Sequence, residues 1–420
     1  MSTETVLAPA PGGPGAVPVA KRGLTPATIM LGFAGLVIAL AAVRLATGAN
    51  DITSSGAVRA ALQLAVPIGL AGLGGLWAER SGVINIGLEG MMILGTWFGA
   101  WGSITFGPWG GVIAGLIGGA LGGLLHAVAT VTFGVDHIVS GVAITILAGG
   151  VTRYLSGFTF KHMAGGGITQ SPGVPELPRW SVPGADSLSS LEKKGWFLVS
   201  DLAGIVRGLL TDVSALTVLA VLLVPVTFWL LWRTAFGLRL RSCGENPQAA
   251  ESLGVNVYRY KYIAVVISGG LAGLGGAFLS MVASNIYRES QTGGRGFIGL
   301  AAMIFGNWRP GGLASGAVLF GYTDALQQRG GGQSVHALLL LIAVLLAAVA
   351  VWQLVRGRLI AGGITLGAGV LVLIWFLSTD TVPEEFVQAA PYLTTLVVLA
   401  LAAQRLRPPA ADGVRYRRGE

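Results

Sequence analysis

The chain has 420 residues, 53% of them hydrophobic and only 11% charged, against about a quarter charged in soluble domains. So few charges cannot clothe a water-soluble surface, which excludes a soluble enzyme and points to an all-α integral membrane protein with the lipid bilayer as its solvent. The net charge of +8 calls for no nucleic acid, because the cations fall where membrane topology places them.

The first 26 residues are rich in Pro, Gly and Ala and read as a disordered tail. The apolar run at 27–46 follows. Its basic flank, Lys21 and Arg22, sits behind a long neutral stretch, which fits a retained first span better than a cleaved signal. Further apolar runs lie at 57–77, 83–103, 109–133, 137–158, 215–232, 262–283, 313–326, 336–355, 359–377 and 387–403. A shorter piece at 297–305, followed by Asn307, Arg309 and Pro310, reads as a re-entrant half-helix. A crossing takes about 20 residues, so the expectation is about eleven transmembrane helices plus that half-helix.

A cytoplasmic N-terminus puts Lys21, Arg22, Arg80, Arg233, Arg239, Arg241, Arg259, Lys261, Arg309, Arg356, Arg358, Arg405, Arg407, Arg415, Arg417 and Arg418 inside, as the positive-inside rule prefers. The C-terminus is then also inside, provided the half-helix and the run 313–326 count as two passes. This divides the chain into a tail 1–26 and a core 27–329 with an external loop 159–213 and a cytoplasmic loop 233–261. A region 330–404 with two further helices and a final span follows, then a basic cytoplasmic tail 405–420. Pro172, Pro175, Pro178 and Pro183 disfavour long helices in the external loop.

The heptapeptide Gly-Leu-Ala-Gly-Leu-Gly-Gly stands at 69–75 and again at 270–276. Ile-Gly-Leu-Glu-Gly-Met-Met-Ile-Leu-Gly at 86–95 is echoed by Ile-Gly-Leu-Ala-Ala-Met-Ile-Phe-Gly at 298–306. The order is the same and the assigned directions are opposite, so an inverted repeat is expected over 57–158 and 262–328. Transporters use such repeats and place the substrate route near mid-membrane where the copies meet. The route is therefore expected around Asn85 and Glu89 in one copy and 297–307 in the other.

An acid inside a span is costly enough to need a purpose. Glu89 either faces a substrate or gate, or bonds a neighbouring helix terminus or basic partner. Asn85 offers a donor and an acceptor to a ligand or to another helix. Arg295, Phe297 and Asn307 complete the candidate path. His126, Asp136 and His137 lack the spacing of a metal set and Cys243 stands alone, so no metal, disulfide or cofactor is expected. Gly111, Gly115, Gly119 and Gly123 put glycines on one helix face for close packing. In the loop 233–261, Asn246 followed by Pro247 reads as a cap and first position, and Gly254 as a stop, giving a short helix 247–253. That helix is either a docking element or an interfacial connector. The sequence has no Gly-Lys pair, hence no phosphate-binding loop of the Walker type, and ATP-driven transport would need an ATPase on another polypeptide. A stand-alone secondary transporter would share the repeat without needing the capped helix. A membrane enzyme would cluster acids or histidines at one face, whereas the close acid pair here is Glu384-Glu385 in a short loop.

Three stretches carry a resemblance: Glu-Arg-Ser-Gly-Val-Ile-Asn-Ile-Gly-Leu-Glu-Gly-Met-Met at 79–92, Phe-Gly-Leu-Arg-Leu-Arg-Ser-Cys-Gly-Glu-Asn-Pro-Gln-Ala-Ala at 236–250, and Gly-Arg-Gly-Phe-Ile-Gly-Leu-Ala-Ala-Met-Ile-Phe-Gly at 294–306. In this order they resemble the permease subunits of bacterial nucleoside and simple-sugar ABC importers, within the branched-chain amino acid/ribose permease superfamily. The sugar branch usually carries Asp where this chain has Asn85, so the likeness leans to the nucleoside branch. The resemblance implies a multi-pass plasma-membrane permease that hydrolyses nothing itself. It also implies a separate ABC ATPase with tandem nucleotide-binding domains, a second permease subunit and an external substrate-binding lipoprotein. By the same likeness Gly244, Glu245, Asn246, Pro247, Ala249, Ala250 and Gly254 form the coupling helix that docks on the ATPase. The two helices at 336–355 and 359–377 are a departure from the family pattern.

Overall fold

The computed structural model describes residues 26–387, 389 and 406–418. Residues 1–25 of the predicted tail 1–26, and all but the start of the predicted span 387–403, lie outside the described residues. Helix α1 (Pro26–Thr47) joins through a 3-10 turn to α2 (Ser55–Arg80), whose first turn is held by Ser54 Oγ accepting the N–H of Ala57. After a turn come α3 (Leu88–Phe106), α4 (Pro108–Ala127), opened by proline at its first position, and α5 (His137–Phe158), capped by the Asp136 carboxylate. The next segment carries α6 (Leu188–Glu192) and α7 (Val199–Leu210), flanked by an antiparallel pair of two-residue strands, β1 (Arg179–Trp180) and β2 (Val213–Ser214). Then follow α8 (Ala215–Arg233), α9 (Ala235–Glu245), α10 (Pro247–Ser252), α11 (Val257–Phe278), α12 (Arg295–Phe305), α13 (Pro310–Val355) and α14 (Leu359–Ser378).

Among the described residues, eight helices are long and apolar enough to cross a membrane: α1, α2, α4, α5, α8, α11, the second half of α13, and α14. Helix α12 is apolar but short. Three expectations change. The run 83–103 becomes helical only at Leu88, since the chain turns through 81–87. The runs 313–326 and 336–355, expected as separate helices, meet within the polar stretch 327–335 at a single kink. Helix α13 covers both and breaks only at Gly331, which adopts φ 50°, ψ −142°, a conformation glycine reaches without a Cβ penalty. The segment 159–213 holds the twelve-residue α7, which begins after the last of the prolines that argued against helix there.

The glycine pattern explains the packing. Helices α2 and α11 form the centre, with 78% and 83% of their most apolar stretch buried, against 22% for α1 and 11% for α14 at the periphery. A Cβ on Gly74 would lie 2.5 Å from Ser268 O, and one on Gly275 would lie 3.0 Å from Pro67 O. The two copies of the heptapeptide therefore sit against each other, and the pairings Gly74 with Ser268 and Pro67 with Gly275 make α2 and α11 antiparallel. On α4, Gly119 lies against Gly273 and Gly123 against Val265 of α11, backbone to backbone. Small residues are what permit helix axes to approach this closely. Helix α7 is fastened to α1 by a buried ion pair, Arg44 Nε to Asp201 Oδ1 at 2.7 Å.

Candidate functional site

Two helices begin inside the bundle rather than at its ends. Leu88, the first residue of α3, packs against Gly74 and Gly75 of α2, and Gly299 of α12 packs against Gly72. Ser268, at the same level, lies about 16 Å along α11 at 1.5 Å per residue, near half of a hydrocarbon core of about 30 Å.

At this depth Glu89, 5% exposed, accepts the backbone N–H of Gly294 at 2.9 Å and of Gly296 at 2.7 Å. The first N–H groups of a helix have no partner within it, and the helix dipole favours an anion there. Glu89 of α3 thus caps α12, and the bond to a neighbouring helix terminus is the arrangement seen. Gly296 must be glycine for this, because a Cβ would lie 2.6 Å from the backbone N and Cα of Glu89. Asn85 is fully buried. Its Nδ2 donates to Ser268 Oγ at 2.8 Å, while Oδ1 has no partner among the described residues.

Arg295 pairs with Asp324 of α13 at 2.8 Å, and Asp324 also accepts from Gln328 Nε2 at 3.0 Å. Phe297 is 46% exposed. Glu89, Arg295 and Phe297 therefore meet at the N-terminal end of α12, with Asn85 in the turn just before α3. Asn307 does not join them. It follows the other end of α12, about 16 Å away, at φ 55°, and its Oδ1 accepts the N–H of Arg407 at 2.8 Å. Sequence reasoning missed Asp324 and Gln328. The available signal was the same as for Glu89, an acid inside an apolar run.

Beyond Asn307, Trp308 is a hub. Its Nε1 donates to Glu79 Oε2 at 2.6 Å, and its carbonyl accepts from Arg80 Nη2 at 2.7 Å. Arg80 in turn lies 3.7 Å from Glu245, which ends α9. Asn246 Oδ1 accepts the N–H of Ala249 at 3.0 Å, Pro247 opens α10, and Gly254 at φ 81° ends the turn that follows. The helix closes at Ser252, one residue earlier than expected. Ala250 is buried with Cys243 and Val257, and burial pushes the Cys243 thiol up to about 11. Gly244 touches the end of α2 through Arg80 O. Gln248, Ala249 and Ser252 face outward and Leu253 is 84% exposed, a surface of which the sequence singled out Ala249. Elsewhere, His126 hydrogen-bonds Ser140 Oγ and Ile84 O, and Asp136 caps α5.

A family model described as branched-chain amino acid transport system, permease component, matches residues 57–350. The nucleoside ABC transporter permease protein NupC of Lactococcus lactis is 34% identical over 83% of this chain and 93% of its own length. The guanosine ABC transporter permease protein NupQ of Bacillus subtilis is 32% identical over 86% of this chain and 97% of its own. A putative glucose ABC transporter permease protein, TsgC13 of Haloferax volcanii, is 33% identical over 66% of this chain and 78% of its own. No solved structure matches. With its apolar helices, glycine-packed centre and a match over most of its length, this chain belongs to the permease-component family of the branched-chain amino acid transport systems, and it is a multi-pass membrane protein.

Proposed function

We propose that this chain is the permease subunit of an ABC importer for nucleosides, forming half of the translocation path in the plasma membrane. The observation that carries the substrate class is that relatives matched over more than nine-tenths of their own length are named nucleoside and guanosine permeases. The glucose-named relative makes simple sugars the competing outcome.

In this reading both termini are cytoplasmic, and the regions 57–158 and 262–328 form an inverted repeat. The antiparallel packing of α2 on α11 supports it, as does the cap that Glu89 of one copy places on the half-helix of the other. Asn85, Glu89, Arg295 and Phe297 control the route at mid-membrane. Asn307 belongs instead to the coupling side. Nucleotide hydrolysis takes place on a partner ATPase with tandem nucleotide-binding domains, a second permease subunit completes the path, and an external lipoprotein delivers substrate. Helix α10 is the lever. Its outward residues Gln248, Ala249, Ser252 and Leu253 meet the ATPase, while Ala250 keys it to α9 and α11.

The test is deletion of 247–252 in the assembled complex. Loss of substrate-stimulated ATP hydrolysis with normal membrane insertion is expected. Uptake at the wild-type rate would reject α10 as the coupling element. Competition of labelled guanosine uptake by unlabelled nucleosides but not by glucose is expected, and the opposite pattern would move the chain to the sugar branch.

A further inference from the structure

The described part of the C-terminal tail, 406–418, is not a loose basic end. It lies across the segment that carries α10 and touches α2, α9, α10, α11 and Asn307, which follows α12. On the α9 and α10 side, Ala411 N–H donates to Gly244 O at 2.8 Å and Ala410 N–H to Glu245 Oε2 at 3.3 Å. Tyr416 donates its hydroxyl to Glu251 Oε2 at 2.6 Å, and Arg418 Nε pairs with Glu251 Oε1 at 2.9 Å. On the α2 side, the Asp412 carboxyl lies beside that of Glu79, a pair of acids that can bond only while one of them holds a proton, and Gly82, at φ 82°, leaves room for Ala411 O, which a Cβ would meet at 3.0 Å. On the α12 side, Arg407 N–H donates to Asn307. The Tyr416 ring also packs against Tyr258 of α11 with centroids 5.4 Å apart.

These contacts form one connected set. Glu251 of α10 is tied to the tail. The tail is tied to Gly244, to Glu79 and to Asn307. Glu79 and Arg80 hold Trp308 directly after α12, and the other end of α12 is the one that Glu89 caps. Helix α10 has only six residues, and among its side chains Ala250 alone is buried, so its buried packing against the bundle is small and the tail adds to it.

We propose that the tail is a positioning strut for transport: Tyr416, Arg418 and Asp412 hold α10, the base of α2 and the C-terminal end of α12 as one rigid body, so that displacement of α10 is delivered to the half-helix at the route. The inference rests on α10 being the coupling element, and the tail residues act through Glu251 and Glu79 rather than on substrate. Energetic coupling between distant sites needs a connected element that responds as a unit, and typical couplings amount to a factor of 5–150 in affinity.

The test uses the full transporter complex in proteoliposomes with its loaded binding protein. The readout is the ratio of substrate-stimulated to basal ATP hydrolysis, together with uptake per assembled complex. Arg418→Glu and Glu251→Arg are each expected to lower both at least about fivefold, the lower end of such couplings, and the combined charge swap to restore them to within about twofold. Tyr416→Phe, which keeps the ring on Tyr258 and removes one bond, is expected to fall between. A variant that merely folded poorly would lower the yield of complex while leaving the ratio and uptake per complex intact, and that result would overturn the proposal. So would single variants that transport normally, or a swap no better than its parents. If deletion of 247–252 itself leaves uptake intact, the coupling reading fails first. If that deletion abolishes uptake and the tail variants do not, the strut alone is rejected.

Discussion

Replacing Glu89 separates a helix-capping role from a substrate-binding one. Glu89→Ala leaves the N–H groups of Gly294 and Gly296 without an acceptor at a buried site. Each unsatisfied buried donor costs about 1–3 kcal/mol, so the two together destabilise the start of α12 by about 4 kcal/mol. Glu89→Gln keeps one acceptor oxygen and loses the charge, a cost of about 2 kcal/mol. At 1.4 kcal/mol per decade this raises local opening of the first turn of α12 about 30-fold. Hydrogen exchange of the purified protein in lipid nanodiscs, followed by mass spectrometry over 290–300, reads this directly. The expected order of protection is wild type, then Gln, then Ala, with uptake falling in the same order. If uptake is abolished in Glu89→Ala while protection of 290–300 stays within twofold of wild type, Glu89 acts on substrate and the capping argument is wrong.

Gly119→Val places a side chain into the backbone of α11 at Gly273 and is expected to cost more than the usual 1–3 kcal/mol of overpacking, with a large drop in melting temperature by fluorescence-detected size exclusion. Gly149→Ala, with nothing within 4 Å of the new methyl, is the control and should melt as wild type. Cys243, buried and with its thiol pushed up to about 11, holds almost no thiolate near neutral pH, so maleimide should label it only after denaturation; labelling of the folded protein within minutes would contradict its burial. Burial pushes the Asp412 carboxyl up to about 6, above its ordinary value of 3.8, so the docked tail binds a proton more tightly than the free tail. Docking should therefore be weakest and independent of pH above about 6, and strengthen as pH falls from about 6 towards 3.8. Protection of the Ala411 amide, corrected for intrinsic exchange, should be higher near pH 5 than near pH 8, and Asp412→Asn should remove the difference.

The apolar runs and glycine spacing made most of the architecture legible, because hydropathy reports which segments leave water and small residues report where helices touch. The Asn246-Pro247 and Gly254 signals located α10 to within one residue, since capping is local chemistry. Three things lay beyond that reach. The break in α13 falls at one glycine among several at 330–332, and nothing local selects which one leaves the helix. Helix α7 is held by Asp201 meeting Arg44 from 157 residues away, a tertiary contact. The role of Glu89 depends on Gly294 and Gly296, 205 and 207 positions later. The expense of a buried acid was visible in the sequence, but its partner was not. The tail was legible as basic, yet its ties run mostly through backbone N–H groups and through Tyr416, which charge counting overlooks.

In the proposed function this chain supplies the route while another polypeptide supplies the energy. Proteoliposomes containing this permease with its partner permease and ATPase, loaded with ATP and given external binding protein, should accumulate labelled guanosine against a gradient. Liposomes lacking only the ATPase should not. Accumulation of guanosine by this chain alone, driven by an ion gradient, would contradict the account.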